Sequence, residues 1–297
     1  MNGNKGFTLI ELIVVIVVVG ILAGGTTSFI INAVRGYTDI AERDQQVTAG
    51  RLALERMTRE LRDALPNSVR IVSNGNTECI EFLPIIAGGI YAGDVYDAPN
   101  VNRLPVVGNN NTVSFSAFGL QVDDQVAANS AFVAVYPISS NEIYTEIANP
   151  TPTWTLRSLD ATTANDFPSN NNILDVPIEM LSDDSFPPRL SPASRFYLTA
   201  GPVSFCLEPT GSSHNLYRYA YDPGNGYDIT SAQQNPPGST RRLLAENLDA
   251  DDSASGFSYE HGAPTRSALV RIKLAPQRTD KDETLTLSHE VHVRNVP

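Results

Sequence analysis

An apolar run that contains a single carboxylate limits what the amino-terminal part of this chain can become. The run extends from Phe7 to about Ile31, and Glu11 is its only charged residue. About 20 apolar residues are enough to cross a bilayer as a helix. A carboxylate at the centre of such a helix costs about 2.5–3.5 kcal/mol, and less near its end. We therefore predict a membrane-spanning helix in which a positive group of another molecule compensates Glu11.

A cleaved secretory signal peptide is the main alternative for an apolar amino terminus. Such a peptide has an apolar region of about 7–15 residues, followed by a small-residue cleavage site. Here the stretch from Leu12 to Ile31 is longer, and no Ala-x-Ala sequence follows it. We expect the apolar segment to be retained, and only the hydrophilic head that ends at Gly6 to be removed.

The residues around this head resemble a known processing motif. The sequence GFTLIE, from Gly6 to Glu11, is similar to the motif of type IV prepilins and of type II secretion pseudopilins. The resemblance implies that a prepilin peptidase cuts between Gly6 and Phe7 and methylates the new terminus at Phe7. It also implies that Glu11 pairs with the terminal amine of a neighbouring pilin subunit. The chain would first cross the inner membrane once, with its head in the periplasm, and then enter a pilus at the cell surface.

A helical pattern continues beyond the apolar run. Apolar residues recur at steps of three, four and seven along one face, and Pro66 ends the pattern. We expect a helix over residues 7–65, ~90 Å long, with a membrane and assembly half at 7–31 and an amphipathic half at 32–66. Its apolar face comprises Ile40, Val47, Leu54, Met57, Leu61, Ala64 and Leu65.

The other face of the amphipathic half is charged. Glu55 and Arg59 are spaced for a favourable ion pair one turn apart, as are Arg51 and Glu55 in the weaker order. The remaining charged residues of this face are Arg56, Glu60, Arg62 and Asp63. We expect this face to point away from the globular head.

Gly20, Gly24 and Gly25 interrupt the apolar run. Each glycine costs about 1 kcal/mol relative to alanine in a helix. Small residues allow membrane helices to approach closely, whereas a weakened segment could instead unwind when the subunit leaves the bilayer. Both interpretations stay open. Ser28 occupies the place where pilins of this family often carry a proline.

From residue 67 to residue 297 the sequence changes to short segments rich in β-branched and aromatic residues, separated by Gly, Pro, Asn and Asp. A long helix followed by strands predicts an α+β fold, with an antiparallel sheet packed on the helix. The head could contain one sheet with insertions or two small sheets. We expect loops at 161–194 and 222–238, and strands at 69–72, 79–83, 113–118, 132–136, 154–159, 203–207, 216–221, 269–274 and 285–293.

Cys79 and Cys206 are the two cysteines of the chain. An even pair in an exported domain favours a disulfide. Chain-entropy models predict that a disulfide that closes a loop of roughly a hundred residues stabilises the folded state by about 4–5 kcal/mol. Two buried free thiols are the alternative. Neither cysteine has a CxxC partner, so no metal site is indicated.

Charge and motifs argue against nucleic-acid binding and against an enzyme. The formal net charge is −12, whereas a nucleic-acid-binding domain needs a basic face. The sequence has no nucleophile elbow, P-loop or HExxH motif. His289 and His292 would point to opposite faces of a strand and could not share a metal ion. We expect His214 and His261 to be surface residues in polar loops.

A weak calcium-binding pattern lies near the end of the chain. Asp249, Asp251 and Asp252 offer oxygen ligands, and Glu260 fits the last position of a calcium loop that starts at Asp249. Ala254 stands where such a loop needs glycine. A solvated acidic turn is the alternative, and no other cofactor is indicated.

Patches along the whole chain are also similar to minor pilins of the mannose-sensitive haemagglutinin (MSHA) pilus. They lie at residues 59–70, 79–91, 202–206, 216–219 and 289–297. This resemblance implies a low-copy subunit that initiates or tips a filament. Two alternatives stay open, a type II secretion pseudopilin and a pilus-tip adhesin. The adhesin would use the aromatic residues Tyr217, Tyr219, Tyr221 and Tyr227.

Overall fold

A computed structural model describes most of the chain. The described residues are 6–93, 101–104, 106–108, 112–148, 155–160, 164–167, 169–170, 173–179, 184–221, 239–249, 254–262, 267–277 and 285–294. Two compact units are present, Met1–Thr48 and Ala49–Pro297. The second unit therefore begins within the amphipathic half of the predicted helix.

The elements follow the predicted order of one long helix and then many strands, and the α+β class is confirmed. In chain order they are α1 (Leu9–Arg62), β1 (Arg70–Asn74), β2 (Thr77–Phe82), β3 (Ile85–Tyr91), β4 (Val106–Gly108), β5 (Thr112–Phe118), α2 (Asp124–Asn129), β6 (Phe132–Ala134), α3 (Ser140–Ala148), β7 (Leu156–Ser158), a 3₁₀ turn (Ala164–Asp166), β8 (Ser169–Asn170), β9 (Ile173–Glu179), β10 (Asp184–Phe186), β11 (Arg195–Thr199), β12 (Val203–Thr210), β13 (Ser213–Ala220), β14 (Thr240–Asp249), β15 (Gly256–Glu260), β16 (Ala268–Leu274) and β17 (Leu287–Val293).

Helix α1 ends three residues before the predicted boundary, and a turn at Pro66 and Asn67 follows it. The predicted apolar face is buried only near the carboxyl end of the helix. Ile40 is 71% exposed, whereas Met57 and Leu61 are fully buried. The predicted Glu55–Arg59 and Arg51–Glu55 ion pairs do not form among the described residues. The charged face is instead tied to the head, because Glu60 accepts hydrogen bonds from Arg218 and from Arg56.

A five-stranded antiparallel sheet, in the order β1-β2-β12-β13-β14, packs on the last turns of α1. A three-stranded sheet, β15-β16-β17, closes the same core. Met57 and Leu61 of the helix, Phe82 and Phe205 of the first sheet and Ile272 of the second lie together in this core. The predicted packing of an antiparallel sheet on the helix is confirmed.

The chain between β2 and β12 builds a second sheet with a core of its own. β2 and β12 are antiparallel neighbours, and Val203 lies opposite Phe82. Residues 83–202 leave and re-enter the first sheet at this point. They form a sheet in the order β7-β6-β11-β3-β5-β9-β8, and a bridge joins Leu159, which follows end strand β7, to Ile178 of β9. The head therefore contains more than one sheet, with the larger sheet inserted between two strands of the other.

The prediction of a loop at 161–194 is partly wrong. Ile173–Glu179 forms strand β9, which pairs with β5 over six residue pairs. Asp175 accepts a hydrogen bond from the Ser116 hydroxyl of β5, so a residue typical of turns is accommodated within a strand. The second predicted loop, 222–238, lies outside the described residues.

The prediction that His214 is a surface residue in a polar loop is also wrong. His214 is buried in β13, with its Nε2 atom 3.0 Å from the Asn76 carbonyl oxygen.

Candidate assembly segment and disulfide

Glu11 is hydrogen-bonded within its own chain. Thr8 precedes the first helical residue, and its backbone N–H and its hydroxyl both donate to Glu11 Oε2, at 3.2 and 3.0 Å. In return, the Glu11 N–H lies 3.4 Å from the Thr8 hydroxyl oxygen. This is a capping box, in which a threonine and a glutamate three residues later satisfy the free N–H groups of a helix start. The carboxylate also lies at the positive end of the helix dipole.

The capping box supplies hydrogen bonds to Glu11 but no opposite charge. Among the residues that the structure describes, no cationic group lies within ion-pair distance of this carboxylate. The cap was not among the predicted features, although Thr-x-x-Glu before an apolar run is a recognisable pattern for it. The acid can therefore be held in place by its own chain and still accept a positively charged group from outside.

Gly6 and Phe7 lie just before α1, outside the helix. Phe7 is 84% exposed. The peptide bond between them is thus outside the hydrogen-bonded helix and accessible to a peptidase.

The apolar half of α1 has no partner within its own unit. Every residue from Gly6 to Thr38 is exposed. The helix is long and apolar enough to cross a membrane. An apolar surface of this extent needs lipid or other apolar helices around it.

The glycines of the apolar run are not required by contacts within the chain. A side-chain carbon added at Gly20, Gly24 or Gly25 would meet no atom of the described residues within 4 Å, and the helix is continuous across all three. The next two hydroxyls are satisfied locally, because Thr26 donates to the Leu22 carbonyl at 2.8 Å and Thr27 to the Ala23 carbonyl at 2.7 Å. This part of the helix therefore presents a surface of small residues without free hydroxyl donors, which suits close helix packing.

Cys79 and Cys206 form a disulfide, with the two sulfur atoms 2.00 Å apart. The cysteines lie directly opposite each other on β2 and β12, and both are buried. The two cysteines are separated by 127 positions in the sequence. It joins the two strands from which the inserted residues 83–202 emerge, close to the point where they leave the first sheet.

The tyrosines of β13, and Tyr221 just after it, are mostly interior residues. Tyr219 is fully buried and Tyr221 nearly so, and both pack beside the disulfide. Burial and the nearby Glu81 carboxylate raise the pKa of Tyr221. The ring of Tyr217 is covered by the Arg241 guanidinium, whose carbon lies 3.6 Å from the ring centre. Tyr227 lies outside the described residues.

Asp249 and Glu260, the two described carboxylates of the calcium pattern, lie at the ends of two different strands. Asp249 ends β14, and the Glu260 carboxylate at the end of β15 accepts a hydrogen bond from Arg271 at 2.6 Å. Asp251 and Asp252 lie outside the described residues.

The histidines near the end of the chain do not face one another. His289 is on the same side of β17 as the buried Val291, and His292 is on the opposite side. His261 is exposed beyond the end of β15 and stacks near Tyr259.

Comparison with known proteins identifies the amino terminus and nothing further along the chain. Residues 1–27 match the family described as the prokaryotic N-terminal methylation motif. No curated protein matches the chain, and no solved structure matches it. The matched segment is the one that contains Gly6, Phe7 and Glu11 and that leads into the exposed apolar helix.

Proposed function

We propose that this protein is a minor type IV pilin, a structural subunit that enters a filament through α1. The observation that carries the proposal is the methylation motif placed directly before an exposed apolar helix. In this proposal a prepilin peptidase cuts between Gly6 and Phe7 and methylates Phe7. The uncleaved chain crosses the inner membrane once, and its head lies in the periplasm until the subunit joins a pilus at the cell surface.

The geometry suggests how Glu11 takes part in assembly. In the single chain its carboxylate accepts two hydrogen bonds from Thr8. A free amine on a neighbouring subunit would add the positive charge that the capping box lacks. An ion pair at membrane depth is worth more than one in water, because the dielectric constant is low there. Glu11 would thus favour subunits packed at one defined offset along their helices.

The patches similar to MSHA minor pilins suggest a more specific role. They favour a low-copy subunit that initiates or tips an MSHA-type pilus, close to its O-type minor pilin, MshO. The size of the inserted sheet supports this, since a large head suits the end of a filament better than its repeating shaft. A minor pseudopilin of a type II secretion system is the alternative. The genes beside this one would distinguish a pilus operon from a secretion operon.

Amino-terminal sequencing of the membrane-extracted protein tests the proposal. The chain is expected to begin at a methylated Phe7. In a strain without the prepilin peptidase, the same protein should keep its first six residues and should not appear in sheared filaments. A mature protein that still begins at Met1 in the presence of the peptidase would overturn the proposal.

A further inference from the structure

A groove of about 680 Å³ runs along the last turns of α1 beside strand β17. Leu54 of the helix and His289 of β17 are among the residues that line it. The helix and the strand are in contact at one end of it, where Gly50 lies against Leu287. All of these residues belong to the compact unit Ala49–Pro297.

The strand beside this groove has a free edge. β17 pairs with β16 on one side, and within the described part of the chain no strand pairs with its other side. A free edge presents a row of backbone N–H and C=O groups that can accept another extended chain. Extended peptides bind to such edges by adding a strand to the sheet.

The groove also presents unpaired positive charge. Arg51, Arg59 and Arg62 line it, and none of them has an ion-pair partner within 4 Å among the described residues. The neighbouring Glu55 and Asp63 reduce this charge only in part, so three cations face two anions. The groove is therefore locally positive in a chain whose formal net charge is −12.

One buried group of the groove lacks a hydrogen-bond partner. Thr58 lines the groove and is only 9% exposed, and its hydroxyl makes no hydrogen bond with any described residue. Hydroxyls buried to this extent are usually hydrogen-bonded. The hydroxyl oxygen itself is hidden from solvent, so a polar occupant of the groove could bond to it only after the Thr58 side chain turns toward the groove.

We infer that this groove binds an extended, acidic peptide segment of another protein, which adds a strand to β17 and pairs its carboxylates with the arginines of α1. The distance from Arg51 to Arg62 along the helix is about 16 Å, which an extended chain covers in about five residues. The free strand edge indicates an extended peptide, and the arginines indicate acidic side chains. The inference does not depend on the proposed function, because every residue that carries it lies outside the amino-terminal motif.

Synthetic peptides and the full-length protein in detergent micelles test this inference. The probe is a fluorescein-labelled eight-residue peptide of alternating aspartate and valine, and the readout is fluorescence anisotropy. A second peptide replaces each aspartate with asparagine. Two further peptides carry N-methyl groups, one on the aspartate backbone nitrogens and the other on the valine backbone nitrogens, so that each lacks the N–H groups of one strand edge.

We expect the acidic peptide to bind, and the asparagine peptide to bind at least about tenfold more weakly. One of the two N-methylated peptides should lose binding and the other should keep it, because only one edge of an added strand pairs with β17. The double variant R59Q/R62Q should weaken binding about tenfold. The matched control R242Q/K273Q removes two exposed positive charges outside the groove and should leave the affinity within about twofold.

Several results would overturn the inference. They are no binding of the acidic peptide, equal binding of the acidic and asparagine peptides, and equal loss of affinity in the groove and control variants. Self-association of the full-length protein that R59Q/R62Q abolishes would identify a second copy as the occupant, and would also overturn it. Equal binding by both N-methylated peptides would exclude strand addition.

Discussion

At the scale of single residues, Glu11 is held by a partner in its own chain. The carboxylate is not a bare charge in an apolar helix, because Thr8 donates two hydrogen bonds to it. These bonds fix the side chain near the start of the helix. They leave its negative charge available to a positive group from another subunit.

We predict that Glu11→Ala leaves cleavage at Gly6 largely intact and reduces incorporation into filaments at least about tenfold, because the proposed ion pair between subunits would be lost. Thr8→Val is the matched control. It removes the hydroxyl of the cap, at about 1 kcal/mol of helix stability, and keeps the acid, so it should retain most incorporation. Quantitative immunoblotting of sheared filaments measures both. Wild-type levels of the Glu11→Ala variant in filaments would contradict this role.

Thr58 is a residue whose replacement should stabilise the head. Its hydroxyl is buried without a hydrogen-bond partner among the described residues, and such a group costs about 1–3 kcal/mol. We predict that Thr58→Val raises the free energy of unfolding by about 1 kcal/mol. Thr48→Val, at an exposed position of the same helix, is the control and should change little. Thermal unfolding followed by circular dichroism measures both, and a lower Tm for Thr58→Val would show that the hydroxyl is hydrogen-bonded after all.

At the scale of elements, sequence patterns predicted a helix or a strand correctly where the local sequence strongly favoured one of the two. The long helix was predicted to within three residues of its end at Arg62, and alternation identified β17. β14 was missed because its sequence, TRRLLAENLD, has the charge and leucine content of a helix. Pairing with β13 overrides that preference, and strand formation generally depends on such context. The cap at Glu11 was predictable, whereas the groove beside β17 required the folded arrangement.

β3 was missed for a different reason, since its two central glycines weigh against a strand. The structure shows why glycine is needed at position 89. A side-chain carbon there would lie 2.9 Å from the Phe118 carbonyl oxygen and 2.9 Å from the Phe196 ring. The glycine thus allows the backbones of the inserted sheet to approach each other.

We predict that Gly89→Ala destabilises the head by about 1–3 kcal/mol, because a backbone oxygen on a paired strand has little room to move. Gly36→Ala is the control. No atom lies within 4 Å of the added carbon at that position, and alanine favours the helix by about 1 kcal/mol. Urea unfolding followed by tyrosine fluorescence measures the loss. Equal stability of Gly89→Ala and the wild type would show that the inserted sheet can shift to accommodate the methyl group.

At the scale of the whole molecule, the disulfide and the insertion share one location. Residues 83–202 enter and leave between β2 and β12, and the Cys79–Cys206 bond joins those two strands. Without the bond, the strands would still be held by their backbone hydrogen bonds and by the core around Phe82 and Phe205. The unfolded chain, however, would regain the freedom of a loop of more than a hundred residues.

We predict that the double variant C79S/C206S loses about 2–5 kcal/mol of stability but keeps the same fold. Thermal unfolding of the wild type with and without reductant should show the same difference, whereas the variant should not respond to reductant. A variant as stable as the oxidised wild type would contradict a stabilising role for the bond. Loss of the folded circular dichroism spectrum in the variant would show that the bond is needed for folding itself.

The place where residues 83–202 leave the first sheet affects how the sequence of this protein can evolve. A segment whose two ends meet at neighbouring strands can be lengthened, shortened or exchanged without shifting the pairing of any other strand, because entry and exit coincide. Lineages could therefore diversify this lobe rapidly while the framework beneath it stays constant. The same junction offers engineers a site for grafting a foreign domain.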